Sequence, residues 1–381
     1  MTDRVLRIAQ VAPPMESVPP ARYGGTERIV AELVTELGRR GHAVTLFAAG
    51  DSTIEADLEA TVPRALRPLG FNGDPSGYLA ATIAHVLRRQ DEFDVIHGHL
   101  EWANVMLARA ARTPVVGTFH GRLDLPWAAD ALADPIAGMV AISRDQAATH
   151  PGFGWAGVVY NGLSIEAAPF AAERGDALCF VGRIAPEKGV VDAIEVARIT
   201  GRTLRIAAKI GPTTQEQEYA QSVFLPALAR ADVEFLGEIT GPERDRLMVS
   251  SHALLMPGQW PEPFGLVAIE ALACGTPVVA RRTGALPEVI RHGVDGFLGD
   301  DVIGLAALVG RVAELDRAAI RAAVLDRFSV ARMVDGYLAI YHRRLANQDP
   351  PPSAGDRPQG RAVPITPERP VAPTPIRVTT R

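Results

Sequence analysis

The chain of 381 residues has few cysteines, no strong excess of one charge and no long apolar run. Its two cysteines, Cys179 and Cys274, lie in apolar segments, which indicates buried thiols in a reducing compartment and excludes a disulfide framework. A net charge of -5 argues against a nucleic-acid binder, because such proteins carry basic surfaces. Since no run of about 18 apolar residues and no signal-like start occur, the sequence predicts a cytoplasmic chain without a membrane span. Peripheral contact with the inner face of the membrane and the oligomeric state stay open.

Two motifs of cofactor and metal chemistry are also missing. The first predicted strand-to-helix loop has no Gly-x-Gly-x-x-Gly, which argues against a dinucleotide-binding dehydrogenase. His97, His99 and His120 lack the neighbouring Cys or carboxylate cluster that would complete a metal site. The sequence therefore predicts neither a bound metal ion nor a cofactor.

What the sequence does contain is a regular alternation of short apolar runs with amphipathic segments. In the first half this pattern predicts strands at 5–11, 43–48, 93–97, 114–119 and 138–142 and helices at 25–40, 78–89 and 102–111. The pattern loosens over 158–175 and then restarts. In the second half it predicts strands at 177–181, 204–209, 233–236, 253–256 and 277–280 and helices at 190–200, 242–250, 265–273, 287–291 and 330–345.

Such an alternation is typical of parallel sheets that are covered by helices on both faces. We predict an α/β protein with two doubly wound, Rossmann-like domains at 1–165 and 170–327. A last helix at 328–345 is predicted to pack back on the first domain. The Pro-rich composition of 347–381 predicts a disordered tail.

Two carboxylates separated by seven residues mark the second half. Glu262 is predicted in the loop after a strand, and Glu270 lies inside the next helix among apolar neighbours such as Ile269 and Leu272. A carboxylate in such surroundings needs hydrogen-bond donors, and one carboxylate can accept two O–H bonds from the vicinal hydroxyls of a sugar. Two solvated glutamates on a helix face are the alternative interpretation.

Two cations lie between a predicted strand and helix of the same half. Arg183 and Lys188 belong to the segment 180–189, at the carboxyl edge where doubly wound sheets bind their ligands. A helix N-terminus adds free N–H groups and a partial positive charge, while arginine and lysine both bind phosphate oxygens. The pattern indicates a diphosphate site; a pair of surface cations is the alternative.

Polar residues and glycines follow the predicted strands of the first half at the corresponding edge. Gly24 and Gly25 allow a close approach of the backbone to a ligand, although a turn with positive φ would also use them. His120 is interpreted as a polar contact to a sugar. His99 and Glu101 are interpreted as candidates on the side of an acceptor.

At these residues the sequence resembles glycosyltransferase family 4, the retaining enzymes of GT-B fold, over about Val5 to Leu345. The resemblance is carried by the Glu-x7-Glu block at 262–270, the Gly-Arg-x4-Lys-Gly block at 182–189 and the segment 277–297. It implies two domains that face each other across a cleft. It also implies transfer of a hexosyl group, with retention, from a nucleoside-diphosphate sugar (UDP-glucose or similar) to an unidentified hydroxyl acceptor.

The resemblance also implies roles for individual residues. Its catalytic set is His120, Arg183, Lys188 and Glu262. Its donor-binding set is Gly24, Gly25, Arg183, Lys188, Glu262, Phe264, Gly265, Leu266 and Glu270. Glu270 would bind ribose hydroxyls, Arg183 and Lys188 would neutralise the diphosphate, and Ser143 would line the cleft.

The sequence has no Asp-x-Asp triple, the motif with which metal-dependent enzymes hold a divalent ion on a diphosphate. We therefore predict that Arg183 and Lys188 act without a metal. A sugar-nucleotide epimerase and a non-catalytic nucleotide-sugar-binding protein of the same fold remain as alternatives.

Overall fold

Two parallel sheets organise the chain in the computed structural model, which describes residues 4–22 and 24–346. The strands of the first sheet are β1 (Arg7–Val11), β2 (Ala43–Ala49), β3 (Asp57–Val62), β4 (Val95–Gly98), β5 (Val115–Phe119), β6 (Met139–Ala141) and β7 (Gly157–Val158). The strands of the second are β8 (Leu178–Ile184), β9 (Leu204–Ile210), β10 (Val233–Gly237), β11 (Ala253–Met256), β12 (Val278–Arg281) and β13 (Gly296–Gly299). Their orders are β3-β2-β1-β4-β5-β6-β7 and β10-β9-β8-β11-β12-β13. Both are the doubly wound Rossmann order, which confirms the predicted fold class.

Helices cover both sheets. Those of the first half are α1 (Gly25–Arg39), α2 (Ser76–Arg89), α3 (Ala103–Ala110), α4 (Ala128–Ala131) and α5 (Arg144–Ala148). Those that follow are α6 (Val190–Thr200), α7 (Thr214–Tyr219), α8 (Leu225–Ala227), α9 (Gly241–Val249), α10 (Leu266–Ala273), α11 (Leu286–Val289), α12 (Val302–Val309), α13 (Arg317–Arg327) and α14 (Val330–Ala346). Among the described residues, no helix is long and apolar enough to cross a membrane.

Apolar burial explains these elements. The central strands are buried on both faces, as parallel strands between helices are, and β1 contributes Ile8 and Val11 to the core. Helix α1 buries Ile29, Leu33 and Leu37, which recur every four residues and form one apolar stripe against the sheet. The core is therefore built from the same periodicities that predict the elements.

The order of the strands decides where a ligand can bind. In each sheet the strand order reverses beside the first strand, between β1 and β4 and between β8 and β11. A doubly wound sheet binds its ligand in the crevice beyond the carboxyl ends of the strands at this point. Glu101 and His120 follow β4 and β5, Arg183 and Lys188 lie at the end of β8, and Glu262 follows β11.

The final helix returns to the first half of the chain. Helix α14 contacts α1, and Asp335 forms an ion pair with Arg40 at 2.5 Å. Two connections therefore join the halves, and they lie side by side: the N–H of Leu163 donates to the carbonyl of Phe328 at 3.1 Å.

The structure contains several elements that the sequence analysis did not predict. Strand β3 was not predicted, because an edge strand with charged, exposed positions has no apolar run. Strand β7, of two residues, occupies the start of the predicted linker. The other elements that were not predicted are β13, α4, α5, α7, α8, α12 and α13. The predicted domain boundary at 165–170 falls in the segment between β7 and β8. The predicted disorder of 347–381 concerns residues outside the described part of the chain.

Candidate active site

A cavity of about 770 Å³ lies between the carboxyl edges of the two sheets. Both halves of the chain line it, so a ligand there would contact both. The predicted site residues that line it are Gly24, Gly25, Glu101, His120, Arg183, Lys188, Glu262, Phe264, Gly265, Leu266 and Glu270. The structure therefore brings nearly all of the residues that the sequence predicted for the site into one cavity.

Two helix N-termini open toward this cavity, one from each half. Helix α1 begins after Gly24 and α10 begins after Gly265, so neither N-cap residue has a side chain that could cap its helix. The first turn of α1 holds the buried Glu27, whereas the first turn of α10 has no acidic residue. Gly265 adopts φ 93°, a left-handed conformation that glycine tolerates best. The free N–H groups and the partial positive charge at the start of α10 make the cavity suitable for an anion.

The two predicted cations, Arg183 and Lys188, form ion pairs with carboxylates. Arg183 donates to Glu187 at 2.6 Å and also to Glu216, while the Nζ of Lys188 donates to Glu262 at 2.6 Å. The Nζ of Lys188 also lies 4.4 Å from the ring centroid of Trp260, a cation–π contact. These partners hold both cations at the cavity wall, and an entering diphosphate would compete with the carboxylates for them.

Glu270 is buried and is matched by two guanidinium groups that the sequence analysis did not assign. One oxygen, Oε1, lies 2.5 Å from Arg28 and 2.7 Å from Arg244. These are ion pairs by distance, but among the described residues neither guanidinium is aligned to hydrogen-bond this oxygen. Because Oε1 is enclosed between these two groups, the capacity to accept hydroxyl hydrogen bonds belongs to Oε2, which has no hydrogen-bond partner among the described residues. Arg28 belongs to the other half of the chain, so its contact with Glu270 spans the cavity.

Glu101 fixes the loop that carries His120. Its carboxylate accepts hydrogen bonds from the backbone N–H groups of His120 and Gly121, each at 3.1 Å. Its own backbone has φ 52°, a strained conformation for a residue with a side chain. Burial raises the pKa of Glu101 to about 7, although the two N–H bonds lower it. Burial lowers the pKa of His120 to about 4, so the imidazole is neutral at pH 7.

Two predicted residues lie elsewhere than expected. His99 is fully buried behind His120, so the structure places it away from the surface on which an acceptor contact was expected. Ser143 is also fully buried. Its hydroxyl caps α5 by accepting a hydrogen bond from the N–H of Gln146 at 3.0 Å, so it does not line the cavity. Phe264 packs its ring against Tyr160 and Phe328, which leaves only its main chain for the predicted donor contact.

Gly284 packs closely against the backbone of the loop that carries Glu262. It has φ 54°, and an added Cβ would lie 2.5 Å from the backbone oxygen of Glu262. We expect Gly284→Ala to destabilise the fold by about 1–3 kcal/mol and to raise KM for a donor, because the loop must shift. Urea unfolding and donor titration would measure both effects.

Gly293 provides the matched control for this prediction. It also has a positive φ, 79°, but an added Cβ would meet no atom within 4 Å. Gly293→Ala should therefore affect stability modestly and leave the donor KM unchanged. Equal effects of the two substitutions on KM would contradict the steric argument.

Comparison with known proteins agrees with this geometry. A family model described as Glycosyltransferase Family 4 matches residues 23–166, and one described as Glycosyl transferases group 1 matches residues 165–318. The chain is 31% identical over 363 residues to the glycogen synthase of Mycobacterium tuberculosis, which covers 80% of this chain and 86% of the relative.

Solved structures of similar fold span nearly the whole chain. AviGT4, a glycosyltransferase involved in avilamycin A biosynthesis, is 26% identical with a TM-score of 0.69 and covers 90% of this chain and 99% of its own. Anabaena HepE in complex with UDP-glucose is 20% identical with a TM-score of 0.69 and covers 89% and 100%. The chain therefore belongs to the glycosyltransferases of GT-B fold.

Proposed function

We propose that this enzyme is a retaining glycosyltransferase of family 4. It moves a hexosyl group from a nucleoside-diphosphate sugar, UDP-glucose or similar, to a hydroxyl acceptor without a metal ion. One observation carries the proposal: the N-terminus of α10, Arg183 and Lys188 converge on a single cavity that also holds the buried carboxylate of Glu270. This combination suits a diphosphate joined to a ribose.

Charge determines the chemistry expected in this cavity. The bond between the anomeric carbon and the phosphate oxygen breaks, which leaves an oxocarbenium-like sugar and an anionic nucleoside diphosphate. Fixed positive groups aimed at this anion lower the barrier, and Arg183, Lys188 and the N-terminus of α10 supply them. The acceptor oxygen attacks the face that the phosphate leaves, and the phosphate oxygen takes the acceptor's proton. The configuration at carbon is thereby retained.

The carboxylates and His120 orient the donor in this proposal. Glu270 accepts the ribose hydroxyls through Oε2, because its Oε1 is enclosed between Arg28 and Arg244. Glu262 and the main-chain N–H groups at the start of α10 contact the sugar, which places it near His120. The solved complex of HepE with UDP-glucose supports a donor of this kind.

The proposal is tested by incubating the purified protein with a panel of nucleotide sugars and an acceptor extract. We expect release of one nucleoside diphosphate together with a product whose mass has increased by one hexose. An altered sugar nucleotide without transfer would indicate an epimerase instead. Binding without any turnover would indicate a non-catalytic sugar-nucleotide-binding protein.

Turnover is expected to be unchanged when excess EDTA is present. The reason is that Arg183 and Lys188 carry the positive charge that a divalent ion supplies in metal-dependent enzymes. The measurement is the rate of nucleoside diphosphate release with EDTA, without EDTA and with added Mg²⁺. Loss of turnover in EDTA that Mg²⁺ restores would contradict metal independence.

A further inference from the structure

A chain of buried hydrogen bonds leads from the cavity into the core of the first half. The Nε2 of His120 lies 2.9 Å from the Nδ1 of His99, and the Nε2 of His99 lies 2.9 Å from the Oε1 of Gln10. Gln10 and His99 are both fully buried. A buried amide between the apolar residues Ala9 and Val11 of β1 is costly unless its polar atoms are matched, which makes its partners informative.

The amide nitrogen of Gln10 is matched on the opposite side. It donates to the hydroxyl of Tyr341 at 3.1 Å, and this hydroxyl lies 2.6 Å from the Nδ1 of His97. The Nε2 of His97 lies 2.8 Å from the hydroxyl of Thr118, which donates to Tyr337 at 3.0 Å. In this arrangement the amide nitrogen faces Tyr341 of α14 and the amide oxygen faces His99.

The direction of the amide determines where each imidazole carries its proton. Burial lowers the pKa of both His99 and His120, so both rings are neutral and each carries one N–H. The oxygen of Gln10 can only accept, so the N–H of His99 is on Nε2 and its Nδ1 is an acceptor. The Nε2 of His120 must then carry the proton, which leaves its Nδ1 unprotonated.

We propose that Gln10 is a positioning residue that fixes His120 in the Nε2-protonated tautomer. His120 thereby offers an unprotonated Nδ1 to a hydroxyl group of the donor sugar. The contact with the sugar rests on the proposed function, whereas the tautomer of His120 concerns the free protein alone. Among the described residues no side chain or backbone group hydrogen-bonds this Nδ1, and His120 lines the cavity.

The opposite arrangement is chemically well defined, which makes the proposal testable. If the amide were turned, its N–H would face His99, each donor and acceptor along the chain would exchange roles, and His120 would carry its proton on Nδ1. One amide therefore selects between two complete hydrogen-bond patterns.

Long-range ¹H–¹⁵N NMR of histidine side chains in the free, full-length protein distinguishes these patterns. The signals of His120 are assigned by their loss in His120→Gln. We expect the Nε2-protonated form in the wild type, and the Nδ1-protonated form or a mixture in Gln10→Met, where His99 has lost its acceptor. A Nδ1-protonated His120 in the wild type, or an unchanged tautomer in Gln10→Met, would overturn the proposal.

Tyr337→Phe is the matched control, because it removes a hydroxyl from the same network without touching Gln10 or His99. It should leave the tautomer of His120 unchanged. Thermal unfolding of both variants checks that they fold, and the wild-type spectrum tests the tautomer even if Gln10→Met does not fold.

Steady-state kinetics with UDP-glucose tests the link to the sugar. We expect Gln10→Met to lower kcat/KM by about three- to tenfold, the value of one neutral hydrogen bond, with Tyr337→Phe near wild type. An unchanged kcat/KM in a variant with the altered tautomer would overturn the role of Nδ1. Absence of turnover with every nucleotide sugar would instead refute the proposed function and the sugar contact, while the tautomer assignment would stand on the spectra.

Discussion

Arg183→Ala is expected to lower kcat/KM for the donor by about 10²–10³-fold, the cost of one lost group that stabilises a developing anion. The substitution removes a guanidinium at the end of β8 and leaves the carboxylates of Glu187 and Glu216 without their partner. These carboxylates would then repel the departing diphosphate. Release of nucleoside diphosphate, followed with the donor identified in the panel, measures the effect.

Two further variants show whether charge or geometry is responsible. Arg183→Lys keeps the charge but loses the planar fork, so it should recover only part of the activity. Arg198→Ala removes an arginine of the same half that is paired with Glu195 on the exposed face of α6, and it should behave like wild type. Near-normal activity of Arg183→Ala would refute the assignment of Arg183 to the diphosphate.

Glu270→Ala is expected to weaken nucleoside diphosphate binding by about 10–100-fold, since a carboxylate bonded to hydroxyls contributes about 1.5–3 kcal/mol. It should also destabilise the free protein by about 1–3 kcal/mol, because Arg28 and Arg244 would lose the buried carboxylate that separates them. Calorimetric titration with UDP measures the first effect and urea unfolding the second.

Glu195→Ala is the control for this prediction, since it removes a glutamate of the same half that lies in an exposed ion pair. Such pairs contribute little to stability, so neither binding nor unfolding should change. If Glu270→Ala loses stability but binds UDP normally, Glu270 serves only to hold the two halves together.

The fold could be predicted because its central strands are largely apolar and its helices carry regular apolar stripes. Two of the strands that escaped prediction, β3 and β7, lack this signal. In β3 the residues alternate between exposed and partly buried positions around Glu59, and β7 is only two residues long. Such strands form because a neighbouring strand offers a hydrogen-bonding edge, which is a property of the sheet and not of the local sequence.

The site could be predicted only at residues whose charge or polarity differs from that of their neighbours in the sequence. Glu270 was visible as a carboxylate within an apolar helix, and Arg183 and Lys188 were visible at the end of a strand. Two of their partners, Glu216 and Arg28, were not visible, because they lie far from Arg183 and Glu270 along the chain and look like ordinary surface residues. Gln10 did carry a signal, as a polar residue between the apolar Ala9 and Val11 of β1, but its partners could be identified only from the structure.

The two connections between the halves restrict how the enzyme can move. Leu163 and Ser329 form a parallel bridge, so both crossings pass through one place. A rotation of one half against the other is therefore expected to occur about this point. Such a rotation would require the contacts across the cavity, such as Arg22 with Glu238 at 3.5 Å and Arg28 with Glu270 at 2.5 Å, to break. Small torsional changes in two short segments would thereby be sufficient to change access to a large cavity.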